Sequence, residues 1–225
     1  MKYWYLAVLS IVLMLALSWS EWKRKFVLAL IFKTLASLCF VLIGLFSLPL
    51  AVDQQSAKYL FIGLILGAVG DVFLNVCRLV KKPAVVFLLG GTSFFLGHIL
   101  YLLVLIPAAR AYFVPAVIAG MVTAISILVF LHWRVETDRL LYIESLGYMV
   151  TVSLMASFAV FGAVAQAGDT ARLLRAVGGV LFLTSDTMLF FRMIKKEKAP
   201  AILGFLLLLA YYPAQCLIAL SIQFM

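Results

Sequence analysis

Two aspartates lie inside apolar segments that are long enough to cross a lipid bilayer. Each follows a small residue and precedes a leucine by three positions. The matching stretches are Gly70-Asp71-Val72-Phe73-Leu74 and Ser185-Asp186-Thr187-Met188-Leu189. Placing a carboxyl group in hydrocarbon costs at least about 2.5 kcal/mol. Because the chain accepts this cost twice in similar surroundings, we expect both carboxyl groups to serve a function.

Further polar side chains fall within the apolar segments and are candidates to bind or orient a ligand. Carboxyl groups in an apolar site are suited to proton transfer, either in general acid–base catalysis or in proton-coupled transport. Lys33 can hold one aspartate ionised or bind a phosphate, and Asn75 lies one helical turn after Asp71 on the same face. The candidates beside the catalytic pair Asp71 and Asp186 are Lys33, Asn75, His98, Tyr101, Tyr148, Ser185, Tyr211, Tyr212 and Gln215.

Structural roles are open for several of these residues. Either aspartate can form a buried ion pair with Lys33 that fixes the register of two helices. His98 is equally suited to a hydrogen bond between helices, and Tyr101 to a position at the membrane interface. His132, the second histidine, falls in a predicted loop, so we expect neither a histidine-ligated metal nor a cofactor.

The composition identifies the class of protein to which these residues belong. Of 225 residues, 66% are hydrophobic and 12% are charged, which is typical of a polytopic membrane protein. The net charge is +9, but the basic residues lie between apolar segments and form no nucleic-acid-binding run. We therefore interpret them as topology signals and contacts to anionic lipid headgroups. Cys39, Cys77 and Cys216 each fall in an apolar segment and are expected to pack there.

The hydropathy pattern predicts an all-α transmembrane bundle of eight helices that forms a single domain over residues 1–225. Most segments approach the ~20 residues that cross the hydrocarbon core, and the loops are too short for a separate soluble domain. The predicted spans are 3–18, 26–48, 59–77, 84–106, 113–131, 140–163, 172–192 and 199–223. We expect the first span to be retained rather than cleaved, because Lys23, Arg24 and Lys25 follow it.

The basic residues between the spans predict the orientation. The loops after the odd-numbered helices hold Lys23, Arg24, Lys25, Arg78, Lys81, Lys82, Arg134, Arg139, Arg192, Lys195, Lys196 and Lys198. The opposite side holds Lys2, Lys58, Arg110, Arg172 and Arg175. The positive-inside rule places the odd-numbered loops in the cytoplasm and both termini outside. We expect the membrane to be a bacterial inner (plasma) membrane.

This orientation places the polar side chains at comparable depths. Asp71 and Asp186 are each six residues before the inner end of their spans, about 9 Å from the cytoplasmic boundary, and Lys33 lies at about 10 Å. We therefore predict a cavity that opens toward the inner leaflet. The similar aspartate motifs in the third and seventh spans also suggest a parallel repeat of four plus four helices.

Several motifs together resemble those of the YhhN family. They are Gly70-Asp71-x-x-Leu74, Phe94-x-x-x-His98-x-x-Tyr101, Ser185-Asp186 and Tyr211-Tyr212-x-x-Gln215, with Lys33 in the second span. The resemblance covers most of the chain. It implies an eight-helix lysoplasmalogenase that needs no metal and has a lysophospholipid substrate. Such enzymes cleave the vinyl ether of a lysoplasmalogen to a fatty aldehyde and glycerophosphoethanolamine or glycerophosphocholine.

The residues suit the chemistry that this resemblance implies. One carboxylic acid protonates the β-carbon of the vinyl ether, and a second carboxylate stabilises the resulting cation and activates water. Asp71 and Asp186 are the expected pair, and the sequence does not assign the acid and the base between them. Two other classes of function are open, a proton-coupled transporter of a small or lipid-like substrate and a lipid-binding protein without turnover.

Overall fold

A computed structural model describes residues 2–81, 83–134, 139–194 and 200–225. These residues form eight long helices, each long and apolar enough to cross a membrane, and the described ranges contain no strand. The helices are α1 Trp4–Trp22, α2 Phe26–Ser47, α3 Gln54–Val76, α4 Pro83–Ala108, α5 Phe113–Arg134, α6 Arg139–Ala165, α7 Thr170–Ile194 and α8 Ala201–Ser221. The prediction of an all-α membrane bundle is thus confirmed.

The helix ends differ from the predicted spans where local chemistry extends a helix. The third helix begins at Gln54, five residues before the predicted start at 59, because the Asp53 carboxylate accepts a hydrogen bond from the Ser56 backbone N–H at 3.1 Å. This interaction is a helix N-cap, which satisfies one of the free N–H groups of the first turn. The predicted loop residues Lys82, Lys195, Lys196 and Lys198 lie outside the described residues.

Six helices surround the centre of the bundle. α2, α3, α4, α6, α7 and α8 contact one another in that order, and α8 returns to contact α2. α1 packs outside this ring against α2 and α8, and α5 packs outside it against α6. The inward faces meet in a core whose largest fully buried side chains include Phe40, Phe182 and Tyr212. Several polar side chains on the ring helices, including both aspartates, are therefore buried inside the bundle.

The order of helix contacts fits the expected repeat of four plus four helices. The pairs α1·α2, α2·α3 and α3·α4 have counterparts in α5·α6, α6·α7 and α7·α8. The two halves meet where α4 contacts α6 and where α8 contacts α2, and these two seams also correspond. Asp71 on α3 and Asp186 on α7 thus lie on corresponding helices of the two halves.

Polar contacts tie the helix ends together on both sides of the bundle. At the end that the charge pattern assigns to the cytoplasm, the Glu21 carboxylate lies 2.7 Å from Arg78 Nη1 and 3.8 Å from Arg192 Nη1. At the opposite end, Arg172 Nη1 donates to the carbonyl oxygens of Ala108 at 2.7 Å and Gly162 at 3.2 Å. These contacts join the ends of α4 and α6 to the start of α7.

Candidate active site

Asp71 is the acceptor for groups on two neighbouring helices. The Ser37 hydroxyl of α2 donates to Asp71 Oδ2 at 2.6 Å, and the Tyr211 hydroxyl of α8 donates to the same oxygen at 2.8 Å. Lys33 Nζ lies 3.2 Å from Asp71 Oδ1, which makes an ion pair. Lys33 and Ser37 are one turn apart on α2 and so reach the same carboxyl group. Two hydroxyl donors and a cation thus converge on one carboxyl group.

A chain of hydrogen bonds extends from Asp71 toward the end of the bundle that is predicted to face outside. The Tyr101 hydroxyl donates to Gln215 Oε1 at 3.1 Å, and Gln215 Nε2 donates to the Tyr211 oxygen at 3.2 Å. Gln215 fits because α3 presents a glycine here, and a Cβ on Gly67 would lie 2.6 Å from Gln215 Nε2. The chain links α4 and α8 to the Asp71 carboxylate and holds Tyr211 in one orientation.

Asp186 has a different set of neighbours. The Tyr148 hydroxyl of α6 donates to Asp186 Oδ2 at 2.6 Å. Within the described part of the chain this is the hydrogen bond that reaches Asp186, and no cation pairs with it there. Packed aromatic rings connect the two carboxyl groups: Tyr211, the donor to Asp71, packs against Phe182, and His98 lies between Phe182 and Tyr148, the donor to Asp186. Among the described residues, Asp186 thus has fewer polar partners than Asp71.

His98 lies between the two carboxyl clusters. Its ring packs edge-on against Phe182 at 4.7 Å and Tyr148 at 5.4 Å between ring centres. Nδ1 lies 2.7 Å from the carbonyl oxygen of Phe94 on the same helix, which fixes a tautomer with the proton on Nδ1. This contact does not support the alternative of a hydrogen bond between helices, because the bond lies within α4. Nε2 is buried without a hydrogen-bond partner among the described residues.

Asn75 carries a second buried polar group that lacks a partner. The residue is 2% exposed and lies one turn beyond Asp71 on α3, as predicted. Its Nδ2 has no hydrogen-bond partner among the described residues. Buried polar groups are almost always hydrogen-bonded in folded proteins. The unpaired groups of Asn75 and His98 are thus suited to bind a ligand or water.

The remaining predicted residues differ in what they contact. Tyr101 is 2% exposed, so the interpretation as an interfacial aromatic residue is wrong, since its ring packs inside the bundle. The Tyr212 hydroxyl lies 3.4 Å from the Lys33 carbonyl oxygen, a long contact that does not reach a carboxyl group. Ser185 is 1% exposed, and no hydrogen bond joins it to either aspartate within the described residues.

The two carboxyl groups that were predicted to line a cavity toward the inner leaflet are buried in this structure. Asp71 and Asp186 are only 2% and 4% exposed. Aromatic rings fill the space around them, with Phe182 and Tyr211 ring centres 5.4 Å apart and Tyr148 packed against Phe190 at the same distance. The described residues contain no cluster of three or more His, Cys, Asp and Glu side chains that suits a metal ion.

Sequence reasoning missed Ser37, which makes one of the two shortest hydrogen bonds to the carboxyl pair. Serine is common as a small packing residue in membrane helices, so its type gave no signal. Its position four residues after Lys33 is the feature that could have identified it, because such residues share a helix face.

Comparison with known proteins supports the motif resemblance. The model of the YhhN family matches residues 28–222, nearly the whole chain, and this range includes every residue of the site. No curated protein and no solved structure matches the chain. The buried carboxyls, their hydroxyl donors and the eight helices that carry them are thus those of a member of the YhhN family, to which this chain belongs.

Proposed function

We propose that the protein is a membrane hydrolase that cleaves the vinyl ether bond of lysoplasmalogens. The products are a fatty aldehyde and glycerophosphoethanolamine or glycerophosphocholine. Family membership supports this activity, and the observation that carries it is the pair of buried carboxyl groups with unlike partners. Among the described residues, Asp71 has a cation and two hydroxyl donors, and Asp186 has one phenol donor. General acid–base catalysis needs such an unlike pair.

Asp186 acts as the general acid. Its O–H proton goes to the β-carbon of the vinyl ether, and the carbon–carbon π electrons form the new C–H bond. The α-carbon then carries an oxocarbenium-like positive charge. The Tyr148 hydroxyl, 2.6 Å from Oδ2, orients the carboxyl group so that the other oxygen presents the proton.

Asp71 acts as the carboxylate that stabilises this cation and activates water. Water adds to the α-carbon while Asp71 accepts one of its protons, which gives a hemiacetal. Collapse then breaks the bond between the α-carbon and the glycerol oxygen. The hemiacetal hydroxyl proton goes to Asp186, Asp71 returns its proton to the glycerol oxygen, and the aldehyde leaves. Both carboxyl groups end in their starting protonation states.

The unpaired buried groups are suited to position the reactants. His98 Nε2 can accept a hydrogen bond from the attacking water, and Asn75 Nδ2 can donate to the ether or glycerol oxygen. Both groups are nearly fully buried, so a hydrogen bond to either one from a ligand contributes favourably to binding.

The first test is release of fatty aldehyde from lysoplasmenylethanolamine by detergent-purified protein in the presence of EDTA. We expect turnover by the wild type, and a loss of about 10²–10⁴-fold in Asp186→Asn and in Asp71→Asn, the usual contribution of a general acid or base. Asp53→Asn is the matched control, because Asp53 caps α3 outside the membrane span and asparagine caps equally well. Near-normal activity in both active-site variants would show the mechanism to be wrong.

The same assay separates an enzyme from a proton-coupled transporter, the alternative that intramembrane carboxylates with a lysine leave open. An enzyme releases aldehyde in detergent, where no gradient exists. A carrier produces none and moves substrate only across sealed liposomes. The unbroken course of α8 through Pro213 supports the enzyme, since transporter sites are typically formed by interrupted helices.

A further inference from the structure

A groove of about 320 Å³ runs between α2 and α3 on the outer surface of the bundle. Its walls are mostly apolar and include Leu38, Val41 and Ile65, together with the hydroxyl residues Thr34 and Ser37. Leu38 and Ile65 are 47% and 37% exposed, although both lie well inside membrane-spanning helices. The groove therefore opens sideways to the lipid rather than to water.

Ser37 belongs to both the groove and the carboxyl site. Its hydroxyl donates to Asp71 Oδ2 at 2.6 Å. The other hydroxyl in the groove, that of Thr34, donates to the Leu30 carbonyl oxygen of its own helix at 2.8 Å. Because both hydroxyl groups already donate to acceptors, the groove surface that a ligand can contact is mainly hydrocarbon. Ser37 connects this surface to the buried carboxyl group of Asp71 through one hydrogen bond.

The dimensions fit one alkyl chain. From Thr34 to Val41 the groove follows α2 for about 10 Å along the helix axis. At roughly 30 Å³ for each water-sized group, its volume holds about ten such groups, enough for a segment of a single chain. Ser37 lies within this length near the middle of the span, and Val41 lies one turn farther from the predicted cytoplasmic end.

We propose that the α2–α3 groove binds the alkyl chain of a single-chain ether phospholipid and leads it sideways from the bilayer to Asp71. The chain lies along Val41 and Ile65, and its ether end lies beside Ser37. Its phosphate lies toward the predicted cytoplasmic end, on the side of Lys33, whose side chain is 13% exposed. The position of the reacting bond beside Ser37 rests on the proposed function. Binding of the alkyl chain in the groove does not require that the bond be cleaved.

The test uses a lysophosphatidylethanolamine with a saturated, uncleavable ether chain that carries a diazirine for photolabelling. The wild type in nanodiscs is irradiated, and the labelled peptides are identified by mass spectrometry. We expect labels on residues 34–41 and 65–73, which an excess of unlabelled ether lysolipid suppresses. In Ala68→Phe, which fills the groove, labelling affinity should fall about tenfold, the loss of about two buried methylene groups. Ala119→Phe on α5, also a half-buried alanine, should match the wild type.

Three outcomes would overturn the proposal. One is labelling spread evenly over the exposed helices, and another is equal labelling by a diacyl probe, which would mean annular lipid only. The third is an unchanged affinity of Ala68→Phe for the probe. If that variant does not fold, the positions of the labels in the wild type decide the question. Specific groove labelling without aldehyde release would instead refute the hydrolase function alone. Aldehyde release with labels elsewhere would refute the groove alone.

Discussion

At the residue scale, the two aspartates differ in the groups that surround them. Lys33, Ser37 and Tyr211 converge on Asp71, while Tyr148 contacts Asp186. In an apolar site each hydrogen bond and each charge has a larger effect than in water. Similar sequence motifs thus produce two carboxyl groups with different chemical tendencies.

Tyr148→Phe tests whether the hydrogen bond to Asp186 orients the acid. Loss of this donor should lower kcat about ten- to a hundredfold and change KM little, because the hydroxyl contacts the catalytic group rather than the bulk of the substrate. Steady-state kinetics of aldehyde release measure the effect. Tyr5→Phe on the exposed face of α1 is the control. A raised KM with normal kcat would instead assign Tyr148 to substrate binding.

A double-mutant cycle on Lys33 and Asp71 tests whether their contact is an ion pair. Lys33→Met leaves a buried carboxylate without its cation and should lower the free energy of unfolding by about 3 kcal/mol. Adding Asp71→Asn removes that charge and should restore most of the stability without restoring activity. Denaturation of the purified variants measures both effects. Additive losses of stability would show that the two side chains do not interact.

The sequence could identify which residue types are present in the site, but it could not predict where every side chain points. Tyr211 and Tyr212 are adjacent and looked equivalent, but neighbouring side chains on a helix point about 100° apart. Tyr211 therefore reaches Asp71, whereas Tyr212 packs near Phe40 and its hydroxyl lies close to the Lys33 carbonyl oxygen. Which of two adjacent residues faces the site depends on helix rotation, and that is set by packing.

At the element scale, the close approach of α3 and α4 depends on glycine. A Cβ added to Gly63 would collide with the ring of Tyr101, and a Cβ on Gly97 would lie 3.2 Å from the Gly63 carbonyl oxygen. Small residues at helix contacts are how membrane helices pack without a hydrophobic driving force. Here that packing also places Tyr101 in contact with Gln215.

Gly63→Ala should separate α3 from α4 and displace Tyr101. We expect a loss of about 1–3 kcal/mol in the free energy of unfolding, the usual cost of overpacking a core. Gly91→Ala is the matched control, because its added Cβ would meet no atom within 4 Å. That control should be neutral or gain up to about 1 kcal/mol from helix propensity. Equal thermal unfolding of the two variants would contradict the packing role of Gly63.

Hydropathy predicted the existence and order of all eight helices, because crossing a bilayer requires long apolar segments. It predicted their ends less well. The start of α3 depends on the Asp53 cap, in a stretch with several polar residues that hydropathy assigns to a loop. Which helices become neighbours was not predictable either, since lipid-facing and partner-facing apolar surfaces have similar compositions.

At the scale of the whole molecule, the basic residues predict which end faces the cytoplasm. In a variant that also carries Cys77→Ser, Lys23→Cys should react with a membrane-impermeant maleimide only after the cells are permeabilised. Val52 is 91% exposed, and Val52→Cys should react with the maleimide in intact cells. Cys39 and Cys216 are buried and should contribute little background. The opposite pattern would reverse the predicted orientation.

The correspondence between the two halves has a consequence for how an acid and a base arise. A symmetric dimer of four-helix units would give its two carboxyl groups identical surroundings, and hence identical proton affinities. Joining both units in one chain removes that restriction, so each seam can change independently. Here one half supplies Lys33 and the other supplies Tyr148 at the equivalent helix. In a single chain the two copies of the motif can therefore acquire different neighbours by mutation, as they have here.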